Sequence, residues 1–207
     1  MKFRNLLALT MALGTLMGCS DSALGPGEGR IAVRMTDAPF PFDEVESIDM
    51  FVVRVEAKAE ATSEQDVALD IEDAEAESDG WIVLATPNDD FDLMDLRNGA
   101  TVFLGDEAVP VGAYHSIRLI LDTDKSSVTL KNGMVLTATS TPSIKFPSAG
   151  KSGIKVLFTT PILVTEGETV DVLLDFDAEL SFVLRGATID QNGLLFTPVI
   201  KATVNDE

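Results

Sequence analysis

Carboxylates are the most abundant reactive groups in this sequence, and calcium is the ligand that they favour. The chain has 34 Asp and Glu residues but only one His and one Cys, so zinc sites built from several Cys or His ligands are excluded. Calcium instead takes carboxylate and carbonyl oxygens. Asp175 and Asp177 would lie on one strand face about 7 Å apart. They could converge on a cation with Asp37, which makes these three residues the predicted metal site, or they could simply face water near a strand end.

Other acidic clusters do not follow the ligand spacing of an EF-hand loop. Two of them are Asp89-Asp90-Phe91-Asp92 with Asp95, and Asp122-Thr123-Asp124. A third acidic stretch, residues 60–79, contains nine Asp and Glu residues. It is expected to be a solvated insertion, and a surface for divalent ions or for a cationic partner is the alternative.

The sequence gives weak support for catalysis. A hydrolytic triad would need His115 beside a nucleophilic Ser, but the chain has no Gly-x-Ser-x-Gly turn, and His115 is expected at the surface or at a strand edge. Gly150-Lys151-Ser152 lacks the earlier glycine of a phosphate-binding loop. We therefore expect a protein that is not an enzyme. An envelope hydrolase that uses a carboxylate pair is an alternative, because acids are abundant.

Aromatic residues are too few for a typical sugar-binding surface, which stacks sugar rings on aromatic rings. The chain has one Trp and one Tyr, and its 11 Phe residues are expected in the core. Trp81 is expected in the core or at a sheet edge, with a ligand platform as the alternative. A calcium-dependent adhesion or glycan-binding module is therefore a second alternative function.

The net charge of −19 limits the possible partners. Nucleic acid and anionic lipid headgroups both attract clustered Lys and Arg side chains. We therefore expect no binding to nucleic acid and no electrostatic docking on anionic lipids. The apolar content of 45% is sufficient for a hydrophobic core and argues against global disorder.

The first 18 residues have the pattern of a bacterial lipoprotein signal peptide. A short basic start precedes an apolar run over 6–17, which is too short to span a bilayer. The quartet Leu16-Met17-Gly18-Cys19 resembles the lipobox, in which a peptidase cleaves before the cysteine and the cysteine is lipidated. Cys19 is also the only Cys in the chain. We predict lipidation at Cys19, whose acyl chains form the membrane anchor; an ordinary signal peptide that ends in a buried cysteine is the alternative.

The residues after Cys19 bear on where the protein is located. Ser20 does not match the signal for retention in the inner membrane, which has Asp at this position, so we expect a lipid-anchored protein of the cell envelope, in the outer membrane. Residues 19–29 are rich in Gly and have no apolar periodicity, which is typical of a flexible tether. The membrane is the expected partner of the anchor, and the domain's own protein or glycan partner is left open.

Short β-type runs broken by Gly, Pro, Asn and Asp extend from residue 30 to residue 204. Thr169–Phe176 is the clearest run, because buried and polar positions alternate along it. Hairpin turns are predicted at Asn132-Gly133 and at 190–193, and short helical turns at 43–46 and 93–97. The strand spacing and the lack of a long helical period indicate one all-β domain, an antiparallel β-sandwich of the immunoglobulin-like or transthyretin-like kind.

A set of short motifs occurs in the order found in a known family. These motifs are Arg34-Met35-Thr36-Asp37-Ala38-Pro39, Gly80-Trp81-Ile82-Val83-Leu84, Asp92-Leu93-Met94-Asp95-Leu96-Arg97-Asn98-Gly99, Val109-Pro110-Val111-Gly112-Ala113-Tyr114, Ile117-Arg118-Leu119-Ile120-Leu121-Asp122, Ser152-Gly153-Ile154-Lys155, Leu174-Asp175-Phe176-Asp177-Ala178 and Pro198-Val199-Ile200-Lys201. Together they resemble the family called domain of unknown function 4382, secreted bacterial and archaeal proteins of which many are lipoproteins. The resemblance implies an extracytoplasmic β-sandwich and transfers no functional residue.

These observations combine into one predicted function. The chain is expected to be a lipid-anchored β-sandwich of the cell envelope that acts as a non-catalytic binding or structural module. Asp37 has a structural interpretation as well, because its carboxylate could accept a hydrogen bond from backbone amides just downstream and fix the end of the first strand.

Overall fold

The computed structural model describes residues 24–38, 43–60, 80–147 and 152–205. The predictions for the signal peptide, for Leu16, Met17, Gly18 and Cys19, and for nearly all of the acidic insertion lie outside these residues. No helix within the described ranges is long and apolar enough to cross a membrane.

Strands dominate the described chain and form three sheets. They are β1 (Glu28–Asp37), β2 (Val45–Ala59), β3 (Trp81–Ala85), β4 (Asp89–Asp92), β5 (Val102–Pro110), β6 (Gly112–Leu121), β7 (Ser127–Leu130), β8 (Val135–Leu136), β9 (Ile144–Lys145), β10 (Ile154–Val164), β11 (Thr169–Phe176), β12 (Phe182–Leu184), β13 (Leu194–Phe196) and β14 (Ile200–Asn205). The helical elements are a 3₁₀ helix at Leu93–Leu96, α1 (Ala178–Ser181) and α2 (Ile189–Asn192). The prediction of an all-β sandwich is confirmed.

The smaller of the two main sheets has the strand order β14-β11-β1-β5. β1 pairs antiparallel with β5 but parallel with β11. This pair departs from the predicted antiparallel pairing, and it is possible because a long stretch of chain crosses between the two strands. Ile31, Val33 and Met35 of β1 are buried, as the predicted alternation requires.

The larger sheet has the order β10-β6-β2-β7-β8 and is built around the 15-residue strand β2. β7 and then β6 pair along one edge of β2, while β4 and then β3 pair along the other edge. β2 therefore lies in the middle of the sheet. One of its faces packs on the core, and the other forms the middle of the sheet's outer face.

The third sheet, β12-β13-β9, closes one end of the sandwich. Phe196 of β13 packs on Phe176 of β11 and on Phe182 of β12, with ring centroids 6.1 and 5.1 Å apart. These rings extend the core beyond the ends of the main strands.

Two of the four predicted turns are confirmed, and the other two differ from the prediction. The hairpin at Asn132-Gly133 joins β7 and β8, and the 3₁₀ helix fills the turn predicted at 93–97. The helical turn predicted at 43–46 is wrong, because β2 already begins at Val45. At 190–193 the connection between β12 and β13 contains α2 rather than a tight turn. After it the chain forms two strands, β13 and β14, with Pro198, which has no N–H to donate, between them.

Candidate functional site

Asp37 is a buried carboxyl group at the end of β1. The residue is 4% exposed and pairs with Phe176 of β11, so its side chain lies on the core face. Its Oδ1 accepts a hydrogen bond of 3.0 Å from the backbone N of Ala178, while its Oδ2 is buried and has no hydrogen-bond partner within the described ranges. The amide of Ala38, just downstream, donates to the backbone O of Phe176 at 3.0 Å and also contributes to lowering the pKa of Asp37.

The environment of Asp37 favours its neutral form. The pKa of Asp37 is raised to about 7, mainly by burial and also by the nearby charges of Asp175 and Asp177. Hydrogen bonds from the backbone N–H groups of Ala178 and Ala38 oppose this rise only in part. Since the group is buried, its proton equilibrium acts on the stability of the fold rather than on a substrate.

The three residues of the predicted metal site have different positions. Asp175 lies on β11 on the face opposite to Asp37, because neighbouring residues of a strand point to opposite faces. β11 ends at Phe176, so Asp177 lies outside the strand, where it accepts a hydrogen bond of 3.0 Å from the N of Leu180 and caps α1. Within the described part of the chain, no group of three or more His, Cys, Asp or Glu side chains is placed to hold a metal ion. Calcium binding by these residues stays a prediction.

Other acidic residues cap turns and helices. Asp92 Oδ1 accepts hydrogen bonds from the N atoms of Met94 and Ile48, at 2.9 and 3.0 Å. Asp122 accepts one of 3.1 Å from the N of Asp124 and forms an ion pair with Lys125. Both residues thus have local structural roles.

His115 lacks the partner that a catalytic triad needs. It is half-buried on β6, and its buried Nδ1 has no hydrogen-bond partner among the residues that the structure describes. In a triad one ring nitrogen is held by an acid. This geometry does not support a charge-relay arrangement at His115.

Glu56 forms a buried ion pair on the outer face of the larger sheet. The residue is 4% exposed and accepts hydrogen bonds from Nε of Arg54, at 2.8 Å, and from Nε of Arg118. Although burial alone would raise the pKa of Glu56, these two hydrogen bonds hold the pKa below its ordinary value. Glu56 therefore stays ionised and fixes both guanidinium groups.

Three cations surround the ring of Trp81, beside Glu56. The centroid of the Trp81 ring lies 4.3 Å from Cζ of Arg118, 5.7 Å from Nζ of Lys58 and 5.9 Å from Nζ of Lys155. Such distances are typical of cation–π interactions. We call this surface the Trp81 face, formed by Trp81, Arg54, Glu56, Lys58, Arg118 and Lys155.

The strand register explains why these side chains meet. Arg118 of β6 pairs with Glu56 of β2 on one side and with Lys155 of β10 on the other, and Lys58 pairs with Trp81 of β3. Paired residues of neighbouring strands point to the same face. The face therefore extends over four strands, about 14 Å at 4.8 Å per strand.

The charge of the Trp81 face is opposite to that of the whole chain. It has four cations and one carboxylate, whereas the chain has a net charge of −19. Arginine and lysine side chains grouped in this way can bind a phosphate, sulfate or carboxylate group.

Sequence reasoning placed Trp81 correctly but missed its surroundings. β3 pairs with β2 and with no other described strand, so the expected sheet-edge position is confirmed. The cations were missed because they lie far apart in the chain and no local motif links them. Trp81 itself, weighed as a ligand platform, was the only signal that pointed to this face.

The comparisons with known proteins bear on the whole domain rather than on one site. No curated protein and no solved structure matched the chain. The family model described as "Domain of unknown function (DUF4382)" matches residues 28–198, from the start of β1 to the segment before β14. Because this match covers most of the sequence and agrees with the resemblance of the short motifs, the chain belongs to the DUF4382 family.

Proposed function

We propose that this protein is a lipid-anchored, non-catalytic binding module of the cell envelope, and that it binds anionic groups on the Trp81 face. The lipobox-like quartet that ends at Cys19 supports the anchor, and Ser20 favours the outer membrane. One observation carries the binding role: four cations converge on one carboxylate and one Trp ring in a strongly acidic chain.

The arrangement of charges supports an anionic group of small size. At physiological ionic strength the Debye length is about 8 Å, so acids elsewhere on the domain are partly screened from a group that contacts the Trp81 face. A long free polyanion would still meet the net negative charge of the rest of the surface. A single phosphate or carboxylate beside Lys155 would contact mainly the cations.

The non-catalytic part of the proposal rests on how the best-placed reactive groups are used. Asp37 is too buried to contact a substrate, and Glu56 is held between two arginines. A carboxylate pair for hydrolysis needs two accessible acids on either side of the scissile bond. Neither group provides such an acid.

The anchor is tested by the substitution Cys19→Ala. We expect the precursor to remain uncleaved by the lipoprotein peptidase and the membrane fraction to lose the protein, because no acyl chain can be attached. Cell fractionation with immunoblotting measures both effects. Mature protein that still fractionates with membranes would contradict the anchor.

The binding role is tested on mature protein in non-ionic detergent by titration with glycerol phosphate. Trp81 is the only Trp, so its single indole N–H resonance reports on this face alone. We expect a saturable shift of this resonance in the wild type and a loss of about tenfold in affinity in Lys155→Glu. Lys131→Glu, an exposed lysine in the β7–β8 turn, is the matched control and should bind like the wild type. Equal titrations of the two variants would refute the role of the face.

A further inference from the structure

We propose that the anionic groups bound by the Trp81 face are phosphates of the bilayer that holds the Cys19 anchor, so that the outer face of the larger sheet lies on the membrane. This inference rests on the proposed function and names the partner of the same site. It differs from the expectation drawn from the net charge, because the four cations of the Trp81 face, and not the whole chain, would meet the headgroups.

The length of the tether brings the domain close to the bilayer. The described structure begins with a turn in which the N of Glu28 donates to the O of Gly25, at 3.2 Å. Only six residue steps separate Cys19 from Gly25, a reach of at most about 20 Å. β1 alone is 10 residues long, about 30 Å. The tether therefore keeps its point of attachment on the domain within about 20 Å of the membrane, which is less than the length of β1.

The tether leaves the domain at the edge of the outer face. The N of Val111 donates to the O of Gly27 at 2.9 Å, and Val111 directly precedes β6. Leu163 of β10 pairs with Ala113 of β6, two positions further along. The start of the tether and this edge of the outer face are thus neighbours. The tether therefore allows this edge to contact the bilayer.

Two exposed leucines lie on β10, Leu163 beside the start of the tether and Leu157 close to Lys155. Leu157 and Leu163, both on β10, are 73% and 69% exposed, more than the other large apolar residues of the described core and surface. Leu157 is two residues from Lys155 and therefore on the same face of the strand. Apolar side chains beside Lys, Arg and Trp are the composition that proteins place at membrane interfaces.

The interaction between the Trp81 face and the bilayer can be weak, because the anchor already holds the domain close to the bilayer. A short flexible tether gives an effective concentration in the millimolar range, so interactions too weak to recruit a soluble protein can still orient a tethered one. Each lysine near an anionic surface contributes about a fivefold preference, and two leucines add burial of apolar area.

Fluorescence of Trp81 in the lipidated full-length mature protein tests the orientation. The protein is reconstituted in vesicles of phosphatidylethanolamine and phosphatidylglycerol that contain a headgroup-attached quencher. We expect strong quenching in the wild type and about a hundredfold lower docked-to-undocked ratio in the double variant Lys155→Glu, Leu163→Asp, because each of the three units of charge change lowers the ratio about fivefold. The matched control is Lys131→Glu, Leu180→Asp. Leu180 is also exposed, at 55%, but it lies on α1, which follows the end of β11 that is far from the tether. Unchanged thermal unfolding of both double variants confirms that they fold.

The outcomes separate the inference from the proposed function. Vesicle-bound wild type with an unquenched Trp81, or equal quenching in the two double variants, would overturn the membrane orientation and leave the anchor intact. Protein that does not associate with vesicles at all would overturn the anchor and the orientation with it. Quenching that is lost only in Lys155→Glu, Leu163→Asp supports the proposal.

Discussion

Asp37 and Ala178 are joined by a hydrogen bond of 3.0 Å between residues 141 positions apart in the chain. The bond connects the end of β1 with the start of α1, just where β11 ends and the chain leaves the smaller sheet. It also holds a buried carboxyl group whose Oδ2 has no hydrogen-bond partner among the described residues. The stability of the fold is thereby linked to pH through a buried acid.

Asp37 should make the protein less stable as the pH rises. Its pKa is about 7 in the folded state against an ordinary value of 3.8, so the folded state binds the proton more tightly than the unfolded chain does. The free energy of unfolding should fall from about pH 4 to about pH 7, and by at most about 4 kcal/mol, since one pKa unit corresponds to about 1.4 kcal/mol.

The substitution Asp37→Asn removes this titration while keeping an oxygen that can accept from Ala178. We expect its unfolding free energy, from urea denaturation at pH 5 and pH 8, to change less with pH than that of the wild type. Asp190→Asn makes the same chemical change at an exposed position and should keep the wild-type pH dependence. A pH dependence in Asp37→Asn as steep as in the wild type would show that another group is responsible.

Local patterns in the sequence were sufficient to predict most of the strands, but not which strands pair with each other. The alternation along Thr169–Phe176 and the Asn132-Gly133 turn depend on residues close in the chain, and both appear in the structure as predicted. The parallel pairing of β1 with β11 depends on a choice among many strands of similar pattern. The Trp81 face could not be predicted for the same reason, because Lys155 meets Arg118 only through the register of β10 with β6.

If Asp37, Asp175 and Asp177 keep the positions described, calcium at these residues should leave the thermal stability unchanged. Oδ1 of Asp37 and Oδ1 of Asp177 already accept backbone hydrogen bonds, and Asp175 lies on the other face of the sheet. A bound ion would raise the unfolding midpoint by an amount that grows with the logarithm of its concentration. We expect the midpoint measured by calorimetry to be the same in a chelator and in millimolar calcium. A rise that is lost in Asp177→Asn would instead establish the calcium site and favour a calcium-dependent adhesion module.

Glu56 and Arg118 should be strongly coupled in stability. Their side chains are 6% and 10% exposed, and removing one partner leaves the other charge buried without compensation, at a cost of about 3–5 kcal/mol. We expect Glu56→Gln to lose about 3 kcal/mol of unfolding free energy, with the ring of Trp81 retaining part of the stabilisation of Arg118. The double variant Glu56→Gln, Arg118→Met should be less destabilised than the sum of the single variants, because no unpaired charge remains buried: the Arg54 side chain is 36% exposed. Urea denaturation of all four proteins gives this coupling energy, and additive losses would mean that the two charges are independent and that Glu56 does not hold Arg118 on the Trp81 face.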